Sequence, residues 1–243
     1  MNILAIGAHP DDIELGCGGI LLKSAKQGHN VFMYILTRGA ASGDPLQRTT
    51  EQREAARIIG ARASWIDNFE DTKLSPNVDL INHIEQVIRM TKPDIVYTHP
   101  HGDTHHDHRA VAAATSEAAR FVPNILSYEM PVTKDFTPQL YSDISDVIDE
   151  KIKLLGAFVS QSQKMFIKSN AVRGLSQYRA LQSRLGKEVI AVEAFEVMQI
   201  GLTPNFNLLH NVQEQILETN NISTPLLKDA IVITSAIHKQ ILT

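Results

Sequence analysis

Cysteine is nearly absent from this chain of 243 residues: there is one, Cys17. A single thiol excludes an intrachain disulfide framework and fits a reducing, cytoplasmic setting. Positive charge is not in excess either. Lys and Arg number 23 against 27 Asp and Glu, a formal net charge of −4, so no basic face is implied and nucleic acid is not an expected partner. Long apolar runs are missing. No segment reaches the roughly 18 uncharged apolar residues of a membrane span. The opening MNILAIGAHPDD has no basic stretch before its short apolar run, so it reads as a first strand and not as a leader. Repeats, low-complexity tracts and long Pro/Gly/Ser linkers are absent too. What is present, 43% hydrophobic residues, excludes a disordered chain. The length suits one domain over residues 1–243, with the last ~40 residues a C-terminal extension.

The apolar pattern sets the fold class. NILAIGA is a nearly continuous apolar run, as in a strand buried on both faces. VFMYILT, ASWIDNF, DIVYTHP and NILSYEM read as four further strands. Helical stretches separate them, with Gly28 and Gly60 as stops, Pro45 near a start, and Val78, Ile81, Ile84 and Ile88 on one stripe. Strand and helix alternate to about residue 130, which predicts an α/β fold: a Rossmann-like, three-layer αβα arrangement around a mostly parallel sheet. Beyond it, ISDVIDEKIKLLGAFVSQ and NAVRGLSQYRALQSRLG read as helices and VIAVEAFEVMQI as a late strand. YSDISDVIDE reads as a loop and helix start. NVQEQILETN and LLKDAIVITSAIHKQIL complete a helical C-terminal part. The apolar AIVITSAI there needs cover, and a homo-oligomer contact would supply it.

In open parallel sheets, ligands bind beyond the carboxyl ends of the strands. Two such loops hold the chemistry. AHPDD follows the first strand, with Pro10 stiffening the exit of His9, Asp11 and Asp12. The two aspartates would also serve as ordinary helix caps. THPHGDTHHDH follows the fourth strand and holds five of the chain's ten histidines, a density that a solvated helix start does not need. His105 and His108, three apart, share a face of the helix that begins there, and Asp107 is spaced to fix an imidazole tautomer. His99, His101 and His106 read as rim residues. Imidazoles and carboxylates without thiolates describe an N/O metal site with an open water position: Zn²⁺, with Fe²⁺ as the competitor. A spare aspartate beside such a metal takes a proton from the water it acidifies, so metal-assisted hydrolysis is the reaction class.

AHPDDIELGCGG together with HHDHRAV, about ninety residues on, resembles the PIG-L/LmbE family of zinc-dependent N-acetyl-sugar deacetylases. That family carries A-H-P-D-D-E near its start and H-x-D-H on a later loop. Arg48, Glu51, Ala55 and the IIG after them, then FEDTKL, SYE, Ser160-Gln161 and VEAFEV, resemble further landmarks, so the likeness runs over roughly residues 2 to 200. It implies His9, Asp12 and His108 as metal ligands and Asp11 as the general base. His105 would be the imidazolium at the oxyanion or leaving amine, oriented by Asp107. Arg48 and Asp71 would bind substrate, an N-acetylated amino sugar or its conjugate. Two departures stand out. The family's Glu after the aspartates is Ile13 here, with Glu14 one place on. Asp103 stands where some relatives have a catalytic Tyr.

Other features read plainly. GCGG lacks the residues of a phosphate loop and predicts close packing of the first helix on the sheet. Cys17 reads as a small buried hydrophobe and Trp65 as core. Arg173, Arg179 and Arg184 read as a solvated helix face. The competing functions are a metal hydrolase of another amide and a non-catalytic Rossmann-like nucleotide-binding module. The missing glycine fingerprint argues against the module.

Overall fold

The computed structural model describes residues 1–201, which form one unit. The two C-terminal helices and the oligomer contact expected from the sequence lie outside the described residues. The chain runs β1 (Asn2–Gly7), α1 (Asp12–Lys26), β2 (Asn30–Thr37), α2 (Pro45–Ile59), β3 (Ala63–Phe69), α3 (Val78–Thr91), β4 (Ile95–Thr98) and α4 (His106–Ala118). Then follow β5 (Asn124–Tyr128), β6 (Leu140–Asp143), α5 (Ile148–Leu155), α6 (Ser169–Ser183) and β7 (Val192–Ile200). The seven strands form one sheet in the order β3-β2-β1-β4-β5-β7-β6. The first five are parallel; β7 runs antiparallel to both β5 and β6.

β1 shows why an unbroken apolar run makes a central strand. Ile3 and Ala5 face one core, with α1, α2 and α5; Leu4 and Ile6 face the other, with α3 and α4. α2 starts as expected, with Asp44 capping and Pro45 in its first turn, and ends at Gly60, whose φ of 79° suits glycine. On α3 the expected stripe is rotated. Leu80, Ile84, Val87 and Thr91 are buried, Ile81 and Ile88 flank them, and Val78 is exposed. β6 reads as loop in the sequence because its four residues, LYSD, show neither alternation nor an apolar run; it exists by pairing with β7. Among the described residues no helix is long and apolar enough to cross a membrane.

α1 is broken at Cys17, which is buried with non-helical φ −139° and ψ 17°. The break lets the helix pack tightly: a Cβ on Gly16 would fall 2.1 Å from the Tyr128 ring. The backbone groups it frees are met by two buried side chains. Lys151 Nζ donates to the Leu15 carbonyl and to Glu193 Oε1, each at 2.7 Å. Glu193 accepts the amides of Gly19 at 2.7 Å and Ile20 at 2.8 Å. An ion pair from α5 and β7 thus replaces a turn of helical hydrogen bonding. Lys151→Ala removes the ion-pair partner of buried Glu193 and the donor to the Leu15 carbonyl, and should lower unfolding stability by about 3–5 kcal/mol in a urea titration. The apolar pair Lys151→Met/Glu193→Leu should not recover it, because the freed backbone groups stay buried without partners. Recovery would show that the kink has other hydrogen-bond partners.

Candidate active site

Two loops meet because β1 and β4 are neighbours, registered Ile3 to Ile95 and Ala5 to Tyr97. The chain goes from β1 outward to β3 and returns to β4 on the other side of β1. The site therefore sits at the topological switch point. After β1, Asp11 occupies the left-handed region at φ 95°, an unusual place for a residue with a Cβ. That turn puts Asp11 and Asp12 at the head of α1. After β4, Asp103 Oδ1 accepts the His105 amide at 2.8 Å, and Arg109 Nη1 donates to the Asp103 and Thr104 carbonyls at 2.7 and 2.8 Å. The loop so folded delivers His105 as the N-cap of α4 and His108 one turn in.

The three residues expected to hold a metal come together. Asp12 Oδ2 lies 3.4 Å from His9 Nδ1 and 3.4 Å from His108 Nε2. One donor atom from each lies within 4.8 Å of the others. Two more sets meet that spacing, His9/His105/Asp107 and His99/Asp103/His108. The first set alone has all three members on the wall of the adjoining pocket, a cavity of about 320 Å³. Its donors are two imidazoles and a carboxylate, a set that suits a divalent cation with room for a ligand. The charges fit as well. Burial opposes a proton on His9, yet Asp107, Asp12 and Asp71 hold its pKa well above the ordinary value. Burial also opposes one on His108, which Asp12 and Asp103 raise to about 9. Against its own burial, Asp12 is held well below the carboxylate range by His108 and His99. The protein thus stabilises positive charge here.

Asp11 differs from its neighbour. Burial, then the Asp12 charge, pushes its carboxyl up to about 7, against the pull of Arg48, Lys164 and His9. Its Oδ2 is buried and accepts no hydrogen bond, with Arg48 Nη2 at 3.4 Å.

Around this centre several of the other expected site residues also make contacts within the protein, and Arg48 and Asp71 line the same pocket. Asp107 does not orient His105 through its carboxylate. It is fully buried, lies 3.0 Å from His9 Nε2, and accepts the amides of Thr72 and Leu74 at 2.8 and 3.0 Å. Only its backbone amide reaches His105, donating to Nδ1 at 3.2 Å. Asp71, expected at the substrate, lies 3.0 Å from the same His9 Nε2 and accepts the Ala41 amide at 2.8 Å. Those contacts outweigh burial and hold its carboxyl at about 2. Arg48 is 2% exposed, and two of its three nitrogens serve the protein. Nη1 donates to the Gly39 carbonyl and to Ser42, and Nη2 to the Pro10 carbonyl. It clamps the turn that strains Asp11. His101 and His106 are exposed, as expected of rim residues.

His99 is not on the rim. It is 0% exposed, accepts the Ala8 amide at 3.1 Å, and lies 3.2 Å from Asp12 Oδ2. Its ring stacks on His108 at 3.9 Å, and burial with the His108 charge holds it down to about 4, hence neutral. A signal for this exists in the sequence: His99-Pro100 follows β4 as His9-Pro10 follows β1. Asp103, at the position of the absent tyrosine, lies 3.0 Å from His108 Nδ1 and accepts the Thr133 hydroxyl at 2.9 Å. It faces the His108 ring, not the pocket, whose wall it does not join. Arg179 is no solvated face either: it forms a buried bidentate pair with Glu129.

The match of the PIG-L family, described as GlcNAc-PI de-N-acetylase, spans residues 4–119 and so contains both loops. An uncharacterized deacetylase of Escherichia coli K12, YaiS, is 40% identical over 153 residues, covering 60% of this chain and 83% of that protein. The diacetylchitobiose deacetylase of Thermococcus kodakarensis is 29% identical over 187 residues, covering 66% and 70%. Among solved structures, the conserved protein TT1542 of Thermus thermophilus superposes with a TM-score of 0.75 at 25% identity, over 84% of this chain and 97% of that one. The chain belongs to the PIG-L family. It is a deacetylase, a hydrolase of the amide bond, and its His/Asp cluster is able to hold a metal ion.

Arg48 separates a clamp from a substrate ligand. Arg48→Ala should lower unfolding stability by about 3 kcal/mol, since it leaves Asp11 and three backbone or hydroxyl acceptors unpaired. An unchanged unfolding midpoint with a raised KM would return the guanidinium to the substrate.

Proposed function

We propose that this protein removes the acetyl group from an N-acetylated amino sugar or its conjugate, with His9, Asp12 and His108 holding a single divalent cation. The N₂O donor set favours Zn²⁺, with Fe²⁺ as the competitor. Bound there, the cation would polarise the amide carbonyl and acidify a water. The single observation that carries the reading is Asp11: a buried carboxylate with an oxygen free of hydrogen bonds, beside that donor set and on the wall of the same pocket. The acetylated sugar named for the Thermococcus relative and the family's de-N-acetylase description support the substrate class.

The residues divide the work as follows. Asp11 takes a proton from the attacking water and returns it to the departing nitrogen, so that amide and water leave as acetate and free amine. His105 accepts the Asp107 amide at Nδ1, which places its own proton on Nε2. Burial, with His108 and His9 nearby, lowers its pKa. We assign His105 to the developing oxyanion or the leaving amine, which its place on the pocket wall beside His9 and His108 allows. Asp71 and Asp107, at His9 Nε2, would leave Nδ1 for a bound cation, and Asp103, at His108 Nδ1, would leave Nε2.

Elemental analysis of anaerobically purified protein, with acetate release from N,N′-diacetylchitobiose and N-acetylglucosamine glycosides, tests both halves. Wild type should carry near one Zn or Fe per chain and His108→Ala should lose it. Asp11→Asn should keep the metal and lose turnover by about 10²–10⁴-fold. Wild-type turnover in Asp11→Asn would remove Asp11 from the chemistry. Metal retained by His108→Ala would break the ligand set.

A further inference from the structure

Besides its histidines, the pocket is lined by one arginine and one lysine, Arg48 and Lys164. Arg48 is spent on the protein. Lys164 is not: among the described residues no carboxylate lies within ion-pair distance of its Nζ and no acceptor bonds it. Its position is nonetheless built. The segment before it is pinned to α2 by Ser160, whose amide and hydroxyl donate to the two oxygens of Glu51 at 2.8 and 2.6 Å. Gln161 Nε2 donates to the Ser42 carbonyl at 3.2 Å, and the Lys164 amide closes a turn on the Gln161 carbonyl at 2.9 Å. The Lys164 ammonium then stands 5.6 Å from the centre of the Phe166 ring. Burial lowers its pKa, against the attraction of Asp11. A partly desolvated ammonium without a partner is an unfinished interaction, and a ligand anion would complete it.

The rest of the pocket says where that anion belongs. Its floor carries Asp11, Asp12 and Asp71, which repel an acid placed among them. Leu15, Met130, Pro131, Val132 and Phe166 form an apolar wall suited to a sugar face. Resting on the deacetylase reading above, we propose that Lys164 is a specificity-determining residue that pairs with a carboxylate or phosphate on the substrate, so that the preferred N-acetyl sugar is an acidic conjugate.

Three probes test this on metal-replete protein: N-acetylglucosamine 1-phosphate, an N-acetylglucosaminide of a hydroxy acid, and neutral methyl N-acetylglucosaminide. Wild type should favour one acidic probe over the neutral one by about tenfold or more in kcat/KM, the worth of one charge-assisted hydrogen bond. Which acid it favours decides between phosphate and carboxylate. The ratio should fall toward one in Lys164→Met and largely return in Lys164→Arg. A ratio near one in wild type overturns the proposal. So does a ratio that survives in Lys164→Met, which would put the anion elsewhere, or an equal loss on all probes, which would make Lys164 an electrostatic partner of Asp11. Calorimetric binding of the same three sugars gives the same ratios without turnover. If no probe releases acetate, the deacetylase reading fails, while the binding ratios in wild type and Lys164→Met still decide the role of Lys164.

Discussion

The parallel pairing of β1 with β4 is the constraint on which everything else in the site depends. These strands lie about ninety residues apart in sequence, yet three residue pairs register them side by side. Each then ends in a His-Pro step. Because neighbouring strands stand under 5 Å apart, the residues leaving them are forced into contact without any long-range design of the loops. His99 shows how close this brings them: its ring accepts an amide from the end of β1 and stacks on a ring from α4. The metal-type donor set is a product of sheet order first and of loop sequence second.

Bringing so many carboxylates into a dry place carries an electrostatic cost, and the surrounding structure is organised to offset it. Asp12, Asp71, Asp103 and Asp107 all face imidazoles, and each is held below the usual carboxylate range. Asp11 is the exception. It alone is raised, because its burial is not matched by a close imidazole and Arg48 stands at 3.4 Å. Five aspartates of one chemical type therefore differ in role, separated only by what each touches. Asp71, Asp103 and Asp107 each stand against an imidazole of the donor set, Asp12 belongs to that set, and Asp11 keeps an oxygen free of hydrogen bonds.

The elements that carry the site are legible in the sequence because their signals are local. NILAIGA, the Gly60 stop and the His and Asp clusters after two strands each speak within a dozen residues. β6 is not legible, since four residues without periodicity become a strand only through β7. Nor are the exact duties of Asp107, Asp71 and Arg48. Their spacing marks them as near the centre, but which ring or carbonyl each meets depends on how the loop at 71–74 folds over α4. Whether His99 faces outward or inward is likewise a question of strand register, which the cluster of histidines around it obscures.

The late landmarks show the same division between what holds and what reacts. Glu193 and Lys151 repair the break in α1; Glu129 and Arg179 tie α6 to the segment that runs into Met130 and the pocket wall; Glu51 and Ser160 anchor the turn that ends in Lys164. Each is a buried or half-buried polar clamp between elements far apart in sequence. Such clamps are costly to break and give little net stability when intact. What they add here is position: a broken helix that aims Asp11 and Asp12, a fixed apolar wall, and a loop that sets one ammonium at the pocket. The chemistry at the centre depends on groups that touch the reacting atoms, whereas the choice among acetylated sugars depends on where these clamps leave the wall and the lysine.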